Sequence, residues 1–329
     1  MRKLLTFQMK IKMEKILKLV KKVIPAKLFS VLQPFYHLSL AWLAALIYGW
    51  PSQSLTVIGV TGTNGKTTVV HLLHEIFLAA GFKVGSVSSL CFKINEAEEK
   101  NLLKMTMPGR FHLQKFLADC VKAGCRFVIL EVTSEGIKQS RHRFIRFHTA
   151  ALTNIRPEHV ETHGGFDNYR EAKLRLFRNV PPSGFAVLNK EDEFSETIAK
   201  ETAAHNIVWY SKSSIDLNRL GHPVRLTALH DHGTMFEIDG AFMASALSGE
   251  FNFMNTIAAA ATAMALGVSL TAIAQALRNF RGVAGRMEYI QKTPFAVVVD
   301  YAHTPDALES VYQTLSSANP KSEIRNPKQ

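Results

Sequence analysis

An α/β fold, with a mostly parallel sheet covered by helices and a phosphate-binding loop, follows from three features of this 329-residue sequence. From Leu55 onward, short apolar strands alternate with helical stretches of roughly ten or more residues, the pattern of parallel strands joined by crossover helices. A glycine-rich turn, Thr61-Gly-Thr-Asn-Gly-Lys-Thr-Thr68, separates the first of those strands from the first helix. A composition 47% apolar and 20% charged supports a sizeable core, and excludes a disordered chain, a collagen-like repeat or a polytopic membrane protein.

Taken in order, the first element is basic. Residues 1–50 hold nine lysines and arginines against one acid, Glu14, and so carry +8 of the net +12. Only +4 is spread over the other 279 residues, which argues against nucleic acid as a partner. Lys10 to Lys27 alternates lysines with Ile, Leu and Val at helical spacing, and Phe35 to Trp50 runs sixteen residues without a full charge. That run falls short of the roughly 20 apolar residues a spanning helix needs, and no small-residue cleavage site follows it. Two readings stay open. One is a helical arm packed on the body. The other is an interfacial anchor giving a peripheral membrane contact, with lysines on anionic lipid and Trp42, Tyr48 and Trp50 at the headgroups.

Leu55–Val60 reads as a buried strand and Lys66–Ala80 as a helix closed by Gly81. Lys83–Ser88 is a strand, Phe111–Ala123 a helix, and Arg126–Val132 a strongly apolar strand. Phe147–Asn154, Asp167–Arg178 and Gly184–Asn189 continue as strand, helix, strand. Pro223–Ala246 changes character, its short β runs and turn residues suggesting hairpins at a sheet edge. Two helices follow, Asn252–Leu266 and Ser269–Phe280, then a loop, Arg281–Arg286. The strand Phe295–Asp300 and the helix Pro305–Leu315 form a last βα unit that cannot bury both its sides, so the sequence reads as stopping inside a domain. Polar residues 316–329, with two prolines, read as disordered. Cys91, Cys120 and Cys125 form no CxxC pair, which suggests a reducing, cytoplasmic setting without disulfides or structural zinc.

The turn at residues 61–68 has the strand-to-helix context of a phosphate loop. Gly62 and Gly65 let backbone N–H groups of Thr63, Asn64 and their neighbours face an anion, with the helix start adding positive potential. Lys66 reaches for terminal phosphates, and the hydroxyls of Thr67 and Thr68 follow, Thr67 suited to Mg²⁺. Val60 stands where the common spacing has its first glycine, so this is a shorter variant. Glu131, closing the strand Phe127–Leu130, is costly there unless it meets a cation; otherwise it is a solvated strand-end acid.

Seven segments together resemble the Mur ligase family. They are Gly62-Thr-Asn-Gly-Lys-Thr-Thr68, Leu130-Glu-Val-Thr-Ser134, Thr153-Asn-Ile-Arg-Pro-Glu-His159 with His163-Gly164, Tyr169-Arg-Glu-Ala-Lys173, Gly249-Glu-Phe-Asn-Phe-Met-Asn255, Gly282-Val-Ala-Gly-Arg-Met-Glu288 and Asp300-Tyr-Ala-His-Thr-Pro-Asp-Ala307. They span residues 55–315. The resemblance implies an ATP- and Mg²⁺-dependent ligase joining an amino acid to a UDP-N-acetylmuramoyl-peptide through an acyl phosphate. It implies Lys66 and Thr67 on phosphate and Mg²⁺, Glu131 and His159 on metal, and Lys173 as a carbamate. Asn252 and Asn255 would contact adenine, with Arg286, Asp300 and His303 reaching the nucleotide from across a domain junction. On their own, Lys173 reads as a solvated helix face, Asn252 as a helix N-cap, and His159 with His163 as a zinc pair that the surrounding prolines and glycines disfavour. Met107 stands where the family carries a threonine in its substrate-contacting Thr-Thr-Pro. The organisation expected is an arm at 1–54, an ATP-binding domain at 55–281, the start of a truncated third domain at 282–315 and a tail at 316–329. Such a chain is expected to bind nucleotide with little turnover. The rival readings are a related ligase acting on another acid, of the folylpolyglutamate synthase or cell-wall amidating kind, and a non-catalytic ATP-binding protein held at a membrane.

Overall fold

The computed structural model describes residues 26–103, 105–158, 164–217, 220–230 and 233–318. Helix α1 (Ala26–Ile47) and a 3-10 turn (Pro51–Ser54) lead into β1 (Thr56–Thr61), the axis of the sheet. Helix α2 (Lys66–Ala79) follows, then β2 (Val84–Val87) and a hairpin of β3 (Cys91–Ile94) and β4 (Ala97–Lys100). Next come α3 (Arg110–Lys122), β5 (Phe127–Glu131), the short α4 (Ser134–Lys138), β6 (Phe147–Leu152), α5 (Phe166–Arg178) and β7 (Phe185–Asn189). Helix α6 (Ser195–Glu201) returns the chain to β8 (Asn206–Tyr210).

Strands β8, β7, β6, β1, β5 and β2 lie side by side in that order, all parallel. The β3–β4 hairpin extends one edge in antiparallel fashion. On the other edge stand β9 (Ser214–Leu217), β10 (Leu220–His230), β11 (Gly233–Ile238) and β12 (Ala241–Ser245), the antiparallel run expected from Pro223–Ala246.

The alternation of β1 sets the two faces. Ile58 and Val60 join Val69, Leu73 and Phe77 of α2 and Phe253 and Ile257 of α7 (Glu250–Ala265) in one core. Val57 joins Leu117 of α3 and Leu176 and Phe177 of α5 in the other. Both faces of the parallel strands are therefore covered, which is why these strands are apolar throughout rather than alternating. Helix α8 (Leu270–Asn279), capped by the Ser269 hydroxyl, packs beside α2.

Three expectations need correction. The final strand is shorter than Phe295–Asp300: β14 covers Val297–Val299 and pairs antiparallel with β13 (Glu288–Gln291). The hydrophobic run alone could not reveal that pairing, because β13 shows no apolar alternation. Helix α9 (Pro305–Ala318) continues past Leu315 into a stretch read as tail. Asn252 is not an N-cap. Gly249 occupies that position, and Asn252 lies in the first turn of α7 with its amide donating to the Ser248 carbonyl at 2.9 Å. The arm is packed on the body over its described part, with Ala41, Ala44 and Ala45 buried where α1 meets α3. The lysine-rich pattern before Ala26 lies outside the described residues, as does the tail from residue 319. All three cysteines are buried and free.

Burial of histidines makes the fold acid-sensitive. Desolvation pushes the His71 ring down to about 3 and the His142 ring to about 4, from an ordinary 6.5. The unfolded chain takes up these protons first, so stability is lost as pH falls from 6.5 towards about 4, by about 1.4 kcal/mol per histidine per pH unit. Thermal unfolding midpoints followed from neutral pH downward should therefore drop, and less steeply in the His71→Gln and His142→Gln variants. Equal slopes in parent and variants would show that other groups take up the protons.

Candidate active site

The carboxyl ends of β1, β5 and β6 meet at one edge of the parallel sheet, the usual place for a ligand in such folds. Residues 62–65 turn there between β1 and α2. Gly62, at φ 153°, has no space for a side chain: a Cβ would lie 1.8 Å from Thr153 Oγ1. Gly65, at φ 83°, is closed the same way by Asn255, whose Oδ1 would stand 2.1 Å from a Cβ. Both glycines are thus required by conformation and by contact. The end of β6 pins the turn. Thr63 N donates to the Asn154 carbonyl at 2.7 Å, Asn64 N to Asn154 Oδ1 at 3.0 Å, and Thr153 Oγ1 to the Asn64 carbonyl at 2.6 Å. The Thr63 hydroxyl meets Tyr169 Oη of α5 at 2.9 Å.

Two lysines converge on this loop. Lys66 Nζ folds back to donate to the carbonyls of Gly62 at 2.9 Å and Thr63 at 2.6 Å. Lys173 Nζ, from α5, donates to the same Gly62 carbonyl at 2.7 Å. Lys173 is 1% exposed, so the solvated-face reading is wrong: the periodicity placed it correctly on an amphipathic helix, but on the inward side. Burial drives its pKa well below the ordinary lysine value, and the Lys66 charge pushes it further down. Lys66 is also lowered by burial, a shift opposed by Glu131.

Register between β1 and β5 sets Val60 beside Glu131, at the mouth of the loop. Glu131 is buried at 3% exposure, which removes the reading of a solvated strand-end acid. Thr67 Oγ1 lies 3.2 and 3.1 Å from its two oxygens, and Ser89 N donates to Oε2 at 2.8 Å. Arg286 Nη2 reaches Thr67 Oγ1 at 3.4 Å while its guanidinium stacks over the Tyr301 ring, 4.4 Å from the centroid. Hydroxyl and carboxylate together are hard oxygen donors suited to Mg²⁺. Among the described residues, no three His, Cys, Asp or Glu side chains cluster as a metal site.

These groups line one cleft of about 1030 Å³, together with Thr68, Asn252, Asn255, Asp300 and His303. Asn255 Nδ2 donates to Asn252 Oδ1 at 3.3 Å, so the two amides form one polar spot beside Gly65. Asp300 accepts from Met287 N at 2.7 Å and Ala302 N at 2.6 Å, which fixes the turn carrying Arg286. His303 Nε2 lies 3.3 Å from Glu158 Oε1. His159 and His163 lie outside the described residues. Sequence reasoning assigned no role to Ser89, Asn154, Tyr169 or Tyr301. Ser89 follows β2, and only the placement of β2 next to β5 brings it to Glu131; no spacing rule signals that. Asn154 and Tyr169 sit inside motifs already singled out, and Tyr169, one turn before Lys173, was the readable one.

Residues 60–263 match the family described as Mur ligase middle domain, and residues 285–325 match the Mur ligase, glutamate ligase domain. The UDP-N-acetylmuramoyl-L-alanyl-D-glutamate--2,6-diaminopimelate ligase of Halalkalibacterium halodurans is 37% identical over 286 residues, covering 84% of this chain and 57% of that relative. A solved structure of a ligase with the same printed name superposes with a TM-score of 0.66 at 32% identity, over 80% of this chain and 54% of that one. Folylpolyglutamate synthase from Mycobacterium tuberculosis, at 18% identity and a TM-score of 0.70 over 85% of this chain and 71% of its own, shares the fold. The chain spans about half the length of the curated relatives it matches. Since the middle-domain match runs from Val60 at the end of β1 into α7 and takes in the loop, Glu131 and Lys173, the chain belongs to the Mur ligase family.

Proposed function

We propose that this chain is an ATP-dependent amide ligase that joins an amino acid to a UDP-N-acetylmuramoyl-peptide in peptidoglycan precursor synthesis. One observation carries the reading: Lys66, Lys173, Thr67 and Glu131 meet around a loop whose two glycines leave no room for side chains. Two lysines converging on a loop beside the buried Glu131 and Thr67 suit a polyphosphate with its metal. Residues 55–281 would form the ATP-binding unit, and residues 282–315 would begin the unit presenting the amino acid. Three buried free thiols fit a reducing cytoplasm.

The residues divide the work. Phosphate oxygens would replace the Gly62 and Thr63 carbonyls as partners of Lys66, returning its ammonium to an anionic environment. Thr67 and Glu131 would hold Mg²⁺, which neutralises charge on the transferred phosphoryl group. Asn252 and Asn255 would present amide donors and acceptors to adenine, and Arg286, held by Tyr301 and the Asp300 turn, would reach the phosphates with His303 beside them. Lys173, its charged form disfavoured by burial, would take up CO₂ as the free amine. An N–C bond forms, one proton leaves, and a carboxylate replaces a cation beside the loop. In the reaction, an acceptor carboxylate oxygen bonds to the γ-phosphorus as the bond to ADP breaks. The incoming amine then attacks the acyl carbon, loses a proton and expels phosphate. His159 stands in this proposal as a metal-side residue by resemblance alone.

Phosphate release by the full chain, with Mg-ATP, a UDP-N-acetylmuramoyl-dipeptide and each amino acid in turn, tests the reaction. Release that depends on both substrates supports the ligase, and release only with a folate acceptor would reassign it. Calorimetry on Lys66→Ala should show a severe loss of Mg-ATP affinity; unchanged binding would remove the foundation of the reading. In a form of the ligase that turns over, Lys173→Ala should lose activity and regain part of it when a short-chain carboxylic acid is added, because the acid restores the missing negative charge. Full activity in that variant, without added acid, would leave Lys173 only a packing role.

A further inference from the structure

A histidine of α2 meets a serine and a cysteine of the turn between β2 and β3. His71 Nε2 stands 3.1 Å from Ser88 Oγ and 3.7 Å from Cys91 Sγ. Such a trio has the groups of a nucleophile and its base. Burial excludes that use. Ser88 is 1% exposed, Cys91 2% and His71 8%, and none of the three lines the cleft. The trio holds rather than reacts, and its chemistry lies in what it holds.

Ser88 closes that turn, its N–H donating to the Cys91 carbonyl at 3.0 Å. The Ser88 hydroxyl accepts from Leu90 N and Cys91 N, both at 3.2 Å, which uses both of its lone pairs. Its hydrogen is left for His71 Nε2, with the Cys91 carbonyl at 3.3 Å as the longer alternative. From the other side Asn101 donates its backbone N–H to the Leu90 carbonyl at 2.8 Å and its Nδ2 to the Ser88 carbonyl at 2.9 Å. Ser89, at the tip of the turn, is thereby fixed between two anchors. Its N–H donates to Glu131 Oε2 at 2.8 Å, and its hydroxyl meets Thr67 Oγ1 at 3.0 Å. Thr67 and His71 are four residues apart on α2 and so share one face of that helix. One helix therefore sets both neighbours of the Glu131 carboxylate: Thr67 directly, and Ser89 through His71 and Ser88.

We propose that His71 is a positioning residue for the metal end of the site: through Ser88 it fixes Ser89, and through Ser89 it holds the Glu131 carboxylate in the orientation that receives Mg²⁺ with Thr67. The inference rests on the ligase reading, which gives Thr67 and Glu131 that ion. A carboxylate that must hold a metal is kept from turning by hydrogen bonds to its own oxygens, and here the Ser89 N–H supplies one. A slack turn would release that restraint. The loss would fall on the metal, because Lys66 and the Asn252–Asn255 pair reach the cleft without passing through this turn.

Calorimetry on the full chain, with ATP in the presence of Mg²⁺ and with ATP in EDTA, separates the two contributions. In His71→Leu the Ser88 hydroxyl keeps the Cys91 carbonyl as a partner, so the fold should be retained, which the unfolding midpoint checks. Mg-ATP affinity in this variant should fall about tenfold or more, while affinity for metal-free ATP stays within about twofold of the parent. His71→Gln, whose amide reaches the place of Nε2, should recover most of the loss. Ser88→Ala removes the same link from the side of the turn and should reproduce the His71→Leu pattern. Equal Mg²⁺ dependence in the parent and in both variants would overturn the proposal. So would equal losses with and without metal, the mark of residues that only pack. A parent chain that binds ATP no better with Mg²⁺ than without it would instead remove the metal reading of Thr67 and Glu131, and this proposal with it.

Discussion

The Gly62 carbonyl sits between two lysine ammonium groups, at 2.9 Å from Lys66 Nζ and 2.7 Å from Lys173 Nζ, inside a cleft where desolvation disfavours both charges. The backbone carbonyls of Gly62 and Thr63 are the hydrogen-bond partners of these lysines, and neither has an ion pair among the described residues. Burying a charge without a counter-charge costs several kcal/mol, on the order of what a whole domain has in reserve. The arrangement persists because the sheet fixes the loop and because the carboxylates of Glu131, Glu158 and Asp192 oppose part of the desolvation. It describes a site short of negative charge, which a polyphosphate brings and which a carbamate on Lys173 would bring in part.

That shortage explains the geometry around it. The loop must bring backbone N–H groups towards an anion, so Gly62 and Gly65 adopt positive φ with Thr153 and Asn255 closing the space where their side chains would be. Those two closing residues come from well-separated parts of the sequence, one after β6 and one on α7. The phosphate loop and the amide pair beside it are therefore one packed unit, and a change at Asn255 would be felt at Gly65. The same coupling runs through Thr67, whose hydroxyl lies within reach of Glu131, Ser89 and Arg286 together.

Most of the parallel sheet was legible in the sequence because its strands are buried on both faces and read as continuous apolar runs between glycine and helix signals. The loop was legible because its chemistry is local. What escaped was non-local. β13 lacks alternation and exists through pairing with Val297–Val299; Ser89 matters only once β2 lies next to β5. Lys173 shows the limit most clearly. Helical period assigned it to an amphipathic helix, yet a lone lysine gives no sign of which side of that helix it takes, and only the carbonyl of Gly62 draws it inward. Asn252 misled for a related reason: asparagine favours the N-cap, but Gly249, at φ 88°, already provides the non-helical turn there.

The two surfaces of the molecule meet in α3. Helix α1 packs on it from outside, and α3 begins at Arg110, directly after the 105–108 turn whose Met105 and Thr106 line the cleft. Arg141, next to the basic loop that carries Arg143 and Arg146, donates to the Met107 carbonyl and so ties that loop to the same turn. Gln139 is held by both arginines of this region, Arg110 through its carbonyl and Arg141 through its side chain. The rim of the cleft and the start of α3 therefore share one set of hydrogen bonds with residues 139–141. Helix α3 thus connects the turn at the rim of the cleft to the helix α1 packed on it.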